Sequence, residues 1–483
     1  MNRVIRTDNP VGPRRAPELR SVLWTSPPRR RGPRWSWLAV GALVVVAVGG
    51  GVFAFRALRS NGIEASLAGA DGDATGPKVM VPTAIAPSVP GFVSTLRGLT
   101  DGAVSLTANG APVALEAGGS FTMYIPQGTT EIQLTATAAD GSVGESVVAV
   151  TDAVPTPTYP ATAALHVRAE DWTNPALRQL VLDLAEQGRI NAVQLDIKDE
   201  AGVVGYASQI PLASTVGAAA GFYDARQATD ELHAAGVRVI GRIVCFLDPT
   251  MSKWAWENGR SDMVVLNASG SAPLDNNYGA AAFSNPASAE VRQYQIDLAT
   301  EAVGLGFDEI LYDYVRRPEG DFAAMQLPGL DTAPDVTIAR FVADTNVALD
   351  GTEAELGISV FGISATRPEP TAQDMRLLAP HVDYVSPMVY PSHWSSGEYE
   401  VPDPVRQPAE IVTRSVADFE RIVSGSGAAV VPWLQDFSWG SVIYGPAEVR
   451  AQIDAARAVG AEGFLLWNPT SQYNIDALDP PQG

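Results

Sequence analysis

Residues 191–206 read NAVQLDIKDEAGVVGY, and this run decides the fold. Its first seven residues have the apolar character of a strand buried in a parallel sheet. Val193, Leu195 and Ile197 take one parity; Gln194, Asp196, Lys198 and Glu200 take the other. Successive side chains on a strand point to opposite faces. The apolar set can therefore face a layer of helices while the polar set faces the mouth of a closed sheet. Asp199 and Glu200 fall at the strand's end and are read as shaping the following turn.

Seven similar runs flank this one, at 164–169, 237–247, 307–314, 356–361, 382–388, 429–435 and 463–467. Helical patterns lie between them. Asn174-Pro175 opens one with a cap and a first-turn proline. Residues 287–305 form another, with Val291, Tyr294, Ile296, Leu298 and Val303 as its apolar positions, and 446–459 a third. Strand starts fall roughly 27 to 70 residues apart, and a βα unit needs about 30, so the surplus marks long loops. Eight such units predict an α/β fold, a (β/α)8 TIM barrel over 163–480. A doubly wound sheet is the alternative, but no glycine-rich phosphate loop follows the first strand.

Ahead of the barrel the composition changes several times. Residues 37–55, WLAVGALVVVAVGGGVFAF, carry no charge over nineteen positions. As a helix they span about 28 Å, close to the hydrocarbon thickness of a bilayer. Arg29, Arg30, Arg31 and Arg34 precede the run, and Trp35 and Trp37 mark an interface. The expectation is a transmembrane signal-anchor over 35–58, with a basic, disordered segment 1–34 in the cytoplasm and the rest outside. Cleavage near Ala68-Gly69-Ala70, releasing a secreted protein, is the competing reading. Residues 59–90 read as a linker. Residues 91–153 give short alternating segments separated by Asn109-Gly110, Gly118-Gly119 and Asp140-Gly141, the pattern of a small β-sandwich. Proline-rich 154–162 is a second, stiffer linker.

Net charge is −21, yet residues 1–34 hold nine arginines against Asp8 and Glu18, which leaves −28 for the remainder. So acidic a body repels nucleic acid and anionic lipid and suits a neutral substrate. The one cysteine, Cys245, excludes an intramolecular disulfide and a cysteine zinc cluster. The four histidines, His166, His233, His381 and His393, are widely separated, so no metal or cofactor is expected and a zinc deacetylase is disfavoured.

Six runs resemble a glycoside-hydrolase-type TIM-barrel family first catalogued as a domain of unknown function (DUF4015-like): 191–206 above, VRVIGRIVCFLDP (237–249), LGFDEILYDYVRRPEG (305–320), DYVSPMVYPSHW (383–394), VVPWLQDFSW (430–439) and GFLLWNP (463–469). They cover the barrel in order. Segment 109–150 resembles the immunoglobulin-like modules that flank bacterial polysaccharide enzymes, here read as a spacer. The resemblance implies a glycosidase acting on an extracellular or envelope polysaccharide, with the bilayer as a second partner through the N-terminal helix. It leaves the oligomeric state open. One departure is Arg317, where the family pattern suggests an aromatic residue after YDYVR; this would alter one sugar subsite.

Barrel active sites collect at the C-terminal ends of strands, and glycosidic cleavage takes two carboxyl groups. Asp313 ends the fourth strand, where many glycosidase barrels hold the nucleophile, and Arg316 is placed to keep it ionised. Asp436, between Trp433 and Phe437, is the favoured partner, since burial raises a carboxyl pKa. Asp196 is the third catalytic candidate. Lys198 would pair with Asp196 or bind a sugar hydroxyl. Asp248, Arg316, Tyr390, His393, Trp394, Trp433, Trp467 and Asn468 complete the expected substrate contacts, with aromatic faces to stack on sugar rings. The alternative is a barrel that binds polysaccharide as an envelope scaffold and cuts nothing.

Overall fold

The computed structural model describes residues 76–87, 94–151 and 159–480. The expected membrane helix and basic segment lie outside these residues. Among the described residues no helix is long and apolar enough to cross a membrane.

Eight parallel strands close into a ring. In order they are Thr162–Val167, Ala192–Lys198, Arg238–Val244, Glu309–Asp313, Glu355–Phe361, Tyr384–Met388, the pair Ala429–Val430 with Trp433–Gln435, and Gly463–Trp467. Each pairs with the next, and the eighth closes on the first through Gly463↔Thr162 to Leu466↔Leu165. Closure excludes the doubly wound alternative. The seventh strand is split at Pro432, which has no N–H for the ladder. The third ends three residues earlier than its apolar run suggests, its last ladder bond running from Cys245 N–H to the carbonyl of Asp313 at 2.7 Å.

The inside of the ring is layered. At the bottom, strand starts contribute Arg238, Glu309 and Glu355, and Tyr159 plugs the opening. Tyr159 donates to Glu309 at 2.7 Å, Arg238 contacts the same carboxylate, and Arg238 Nη2 donates to Thr162 Oγ1 at 2.6 Å. The middle layer is apolar: Ala164, Ala192, Ile240, Leu311, Tyr384 and Leu465 form one buried cluster. Burying such side chains contributes about 1.5–3 kcal/mol each for the larger ones. Small residues make room for Tyr384. Gly357 is opposite it in the ladder, and a Cβ there would lie 2.2 Å from the Tyr384 ring. The upper layer, nearest the mouth, is polar and carries the candidate site.

The helices follow from local signals. Asn174 accepts from Ala176 N at 3.0 Å and caps Pro175–Glu186. Helix Ala289–Gly304 buries Val291, Tyr294, Ile296 and Leu298 against the barrel, as their spacing predicts. Pro446 starts Pro446–Ala458 at its first turn.

Residues before the barrel form two sheets on a shared core of Leu96, Leu106, Phe121, Ile132, Leu134 and Val148. One sheet has three strands (Lys78–Met80, Thr95–Asp101, Ser120–Tyr124) and the other five, from Ala84–Ile85 to Val143–Val150. Lys78–Met80 and Ala84–Ile85 arise within the stretch read as linker. Asn109 and Gly110, both at positive φ, make the tight turn between Ser105–Ala108 and Ala111–Val113. This module is fastened to the barrel: Arg97 pairs with Asp335 at 2.9 Å and also with Asp374.

Candidate active site

Arg242 organises the barrel mouth. It lies in the third strand, opposite Asp196 in the ladder, and is nearly fully buried. Nε and Nη2 donate to Asp313 Oδ2 at 2.9 and 2.7 Å. Nη1 donates to Asp196 Oδ1 at 3.1 Å, and Nη2 also contacts Glu200. A buried guanidinium needs such partners, because an unpaired charge in low dielectric costs several kcal/mol. Burial alone would lower the Arg242 pKa; Glu200, Asp196 and Asp313 together raise it well above its ordinary value.

Each carboxylate is held differently. Asp313 directs Oδ1 at the N–H of Tyr314, 2.7 Å away, and Tyr314 takes a left-handed φ of 48°. A tyrosine in that region is strained, and such strain persists only where surrounding contacts impose it. Asp196 Oδ1 also meets His166 Nε2 at 2.9 Å. Burial pushes the Asp196 carboxyl up, but His166 and then Arg242 outweigh it and hold the group below its ordinary value. Glu200 extends from the turn after the second strand with its side chain 44 % exposed. Asp199 does shape that turn, accepting from Ala201 N at 3.0 Å and Val203 N at 2.8 Å.

An aromatic wall stands beside the carboxylates. Tyr390 stacks on Trp467 with ring centres 5.4 Å apart, and Phe437 meets Trp467 edge-on at 5.2 Å. His393, which is exposed, lies 5.2 Å from Tyr390 and 6.4 Å from Trp439. Burial and then the charge of Asp313 push the Tyr390 phenol well above its usual range.

Several expected contacts are placed elsewhere. Arg316 does not hold Asp313. It is fully buried, bound to Glu319 at 2.7 Å and Tyr278 at 3.1 Å, and enclosed by the rings of Tyr314 and Phe361. Arg242 takes the role expected of it. Lys198 neither pairs with Asp196 nor faces sugar. A register slip between Asp196 and Lys198 turns its ammonium to Asp248, at 2.8 Å, and to the ring of Tyr294 on helix Ala289–Gly304. Asp248 is correspondingly buried and caps helix Pro249–Glu257 through Met251 N at 2.9 Å.

Trp433 lies in the barrel core, donating to Ser359 Oγ at 2.9 Å, and Trp394 is buried against Gly362 and Tyr399. Neither offers an open face. Asp436 is fully buried and both its oxygens accept from Asn474, one from N at 2.8 Å and one from Nδ2 at 2.5 Å. Burial raises its carboxyl pKa, opposed by Asn474. Asn468 is also a loop fastener: it donates to the Asp436 carbonyl and accepts from Thr470 N at 2.8 Å. Arg317 is buried and binds carbonyls of Pro318, Gly320 and Glu369, so it ties loops together and opens no subsite.

Arg242 and His166 escape the sequence reading, which turns Glu200 toward the mouth by parity but gives it only a part in the turn. The signal for Arg242 is an arginine inside an apolar parallel strand, which requires buried acids nearby. Among the described residues no three His, Cys, Asp or Glu side chains gather as a metal-holding group.

Among solved structures, a hypothetical protein from Ruminiclostridium thermocellum is 30 % identical over 40 % of this chain and 96 % of its own, with a TM-score of 0.36. The PgaB (BpsB) glycoside hydrolase domain from Bordetella bronchiseptica is 14 % identical over 65 % and 95 %, with a TM-score of 0.47. The endo-β-1,4-mannanase from Thermotoga petrophila is 14 % identical over 64 % and 68 %, with a TM-score of 0.43. Comparison with curated proteins gives no match. The profile of one family, described as "Putative glycosyl hydrolase domain" (DUF4015), matches residues 164–473, the whole ring of strands and loops just described, and the chain belongs to that family.

Proposed function

We propose that the protein hydrolyses glycosidic bonds of an extracellular or cell-envelope polysaccharide at the C-terminal mouth of the barrel, by two-carboxylate chemistry. The observation that carries this reading is Asp313, fixed by Arg242 at the C-terminal end of the fourth strand, in a mouth that also holds the stacked rings of Tyr390 and Trp467. A sugar ring would lie with its C–H face on the half-exposed Trp467, with Asp313 as the carboxylate that attacks or stabilises the anomeric centre. Asp313 is the first carboxylate. Asp196 lies beneath it, its carboxyl, despite burial, held below its ordinary value by His166 and Arg242, and is suited to orienting Arg242. The acidic body favours a neutral glycan.

Two further assignments rest on sequence. Residues 35–58 anchor the chain in the cell membrane with the barrel extracellular, and the module over 91–153 is an immunoglobulin-like spacer.

The test is reducing-end release by the full chain from a panel of bacterial envelope and plant polysaccharides, with Asp313→Asn beside the parent. Release by the parent that is lost in the variant supports the reading. No release from any member, with glycan binding retained, returns the scaffold alternative.

A further inference from the structure

We infer that Glu200 supplies the second carboxyl group and that cleavage retains the anomeric configuration. This rests on the glycosidase reading above and adds to it a residue and a stereochemical outcome.

Three acids surround Arg242, and they differ in access. The side chains of Asp196 and Asp313 are 1 % and 5 % exposed, whereas that of Glu200 is 44 % exposed. Glu200 is therefore the one of the three that can exchange a proton with water or a leaving group in the cleft. Its distance from Asp313 is also bounded. Both carboxylates rest on Arg242 Nη2, Asp313 at 2.7 Å and Glu200 in closer contact. The two oxygens are then no more than about 5 Å apart. Retaining glycosidases space their carboxyls at about 5–5.5 Å, and inverting ones at about 6.5–9.5 Å to admit a water.

The turn that carries Glu200 is built to hold position. Gly202, at φ +77°, lies so close to Asp248 that a Cβ would fall 2.0 Å from Oδ1. Asp248 is itself held by Lys198. Farther along the loop, Glu301 accepts from Tyr206 Oη at 3.0 Å, Ser208 Oγ at 2.6 Å and Gln209 N at 2.6 Å. A catalytic group on a loop needs this kind of support to keep its geometry. Asp436, the other candidate for the role, has both oxygens committed to Asn474.

The steps balance. An Asp313 oxygen attacks the anomeric carbon as the bond to the leaving oxygen breaks, and Glu200, which has first released Arg242 and taken a proton from solvent, gives that oxygen the proton. The Glu200 carboxylate then takes a proton from water, whose oxygen attacks the anomeric carbon and releases Asp313. The net change is one glycosidic bond and one water converted to two hydroxyls.

The experiment uses the full chain and a glycan that it cleaves. Proton NMR of the first product should show the substrate's own anomeric configuration. Glu200→Ala and Glu200→Gln should each lose about 10³-fold on the polysaccharide. On an aryl glycoside whose leaving group needs no proton, they should give a burst followed by slow turnover, and azide should restore turnover by forming a glycosyl azide of retained configuration. In Asp313→Ala, azide should give the inverted one. An inverted product from the parent overturns the inference and leaves the glycosidase reading intact. So does parental activity in both Glu200 variants. If loss in Asp436→Asn shows the azide signature that Glu200→Ala lacks, the role passes to Asp436. Absence of any cleavage by the parent instead sinks the reading beneath.

Discussion

Arg242, in the third barrel strand, reaches Asp313, at the end of the fourth, with two nitrogens of one guanidinium, at 2.9 and 2.7 Å. That fork fixes the carboxylate in two directions at once, which a point charge cannot do. Arg242→Lys should therefore fold yet lose about 10²-fold or more in kcat, read as reducing-end release. Arg242→Met leaves three acids without their cation and should cost about 3–5 kcal/mol in denaturant titration. A lysine variant with parental kcat would show that charge alone suffices.

Lys198 and Asp248 form a buried pair outside the ring of strands, away from the cleft. Lys198→Met strands the Asp248 carboxylate and should destabilise the protein by about 3–5 kcal/mol. The folded fraction should bind glycan with the parent's affinity. Weaker binding in well-folded protein would return Lys198 to the cleft.

The tryptophans divide by position. Trp467 is half-buried in the aromatic wall, whereas Trp433 is 2 % exposed in the core. Trp467→Ala should raise KM about tenfold with a small change in stability. Trp433→Ala should lower stability by about 3–5 kcal/mol. Calorimetry and glycan titration on both variants separate the two effects, and equal stability losses would count against the division.

The barrel floor predicts a pH dependence. Burial, then Glu309 and Asp383, push the Glu355 carboxyl up to about 7. At pH 5–6 the folded state keeps this proton while the unfolded chain has lost it. The folded state binds more protons there, so stability falls as pH rises from about 4.5 to 7, and the penalty is complete above that. Glu355→Gln should stabilise the protein at pH 8 by roughly 1–2 kcal/mol, a figure reduced for the side chain's partial exposure, and do little at pH 4. Urea midpoints at the two pH values check the sign.

All eight strands were legible in the sequence, because apolar runs of the right length recur with helical patterns between them. The position of Asp313 at the end of the fourth strand was legible too. Strand parity placed Gln194 and Asp196 inside the ring but misplaced Lys198, since a one-residue slip leaves no mark in hydropathy. Arg316 and Arg242 show the other limit. Both are arginines near Asp313, one three residues away along the chain and the other across the ladder, and only the ladder register shows which one touches it. Trp467 ends the eighth strand, but Trp433 opens the second half of the seventh, opposite Leu465, so the two fill different layers of the ring.

The slip between Asp196 and Lys198 also decides which charges line the mouth. In regular alternation the second strand would bring an ammonium into the cleft two positions above Asp196, and a uronate or phosphate group would find a counterion there. The offset sequesters that ammonium behind the wall of the barrel, and Arg242 is saturated by three acids. Deleting one residue at the slip would restore regular alternation and turn the Lys198 ammonium toward the mouth, reversing the charge found there while leaving Arg242 and its three acids unchanged.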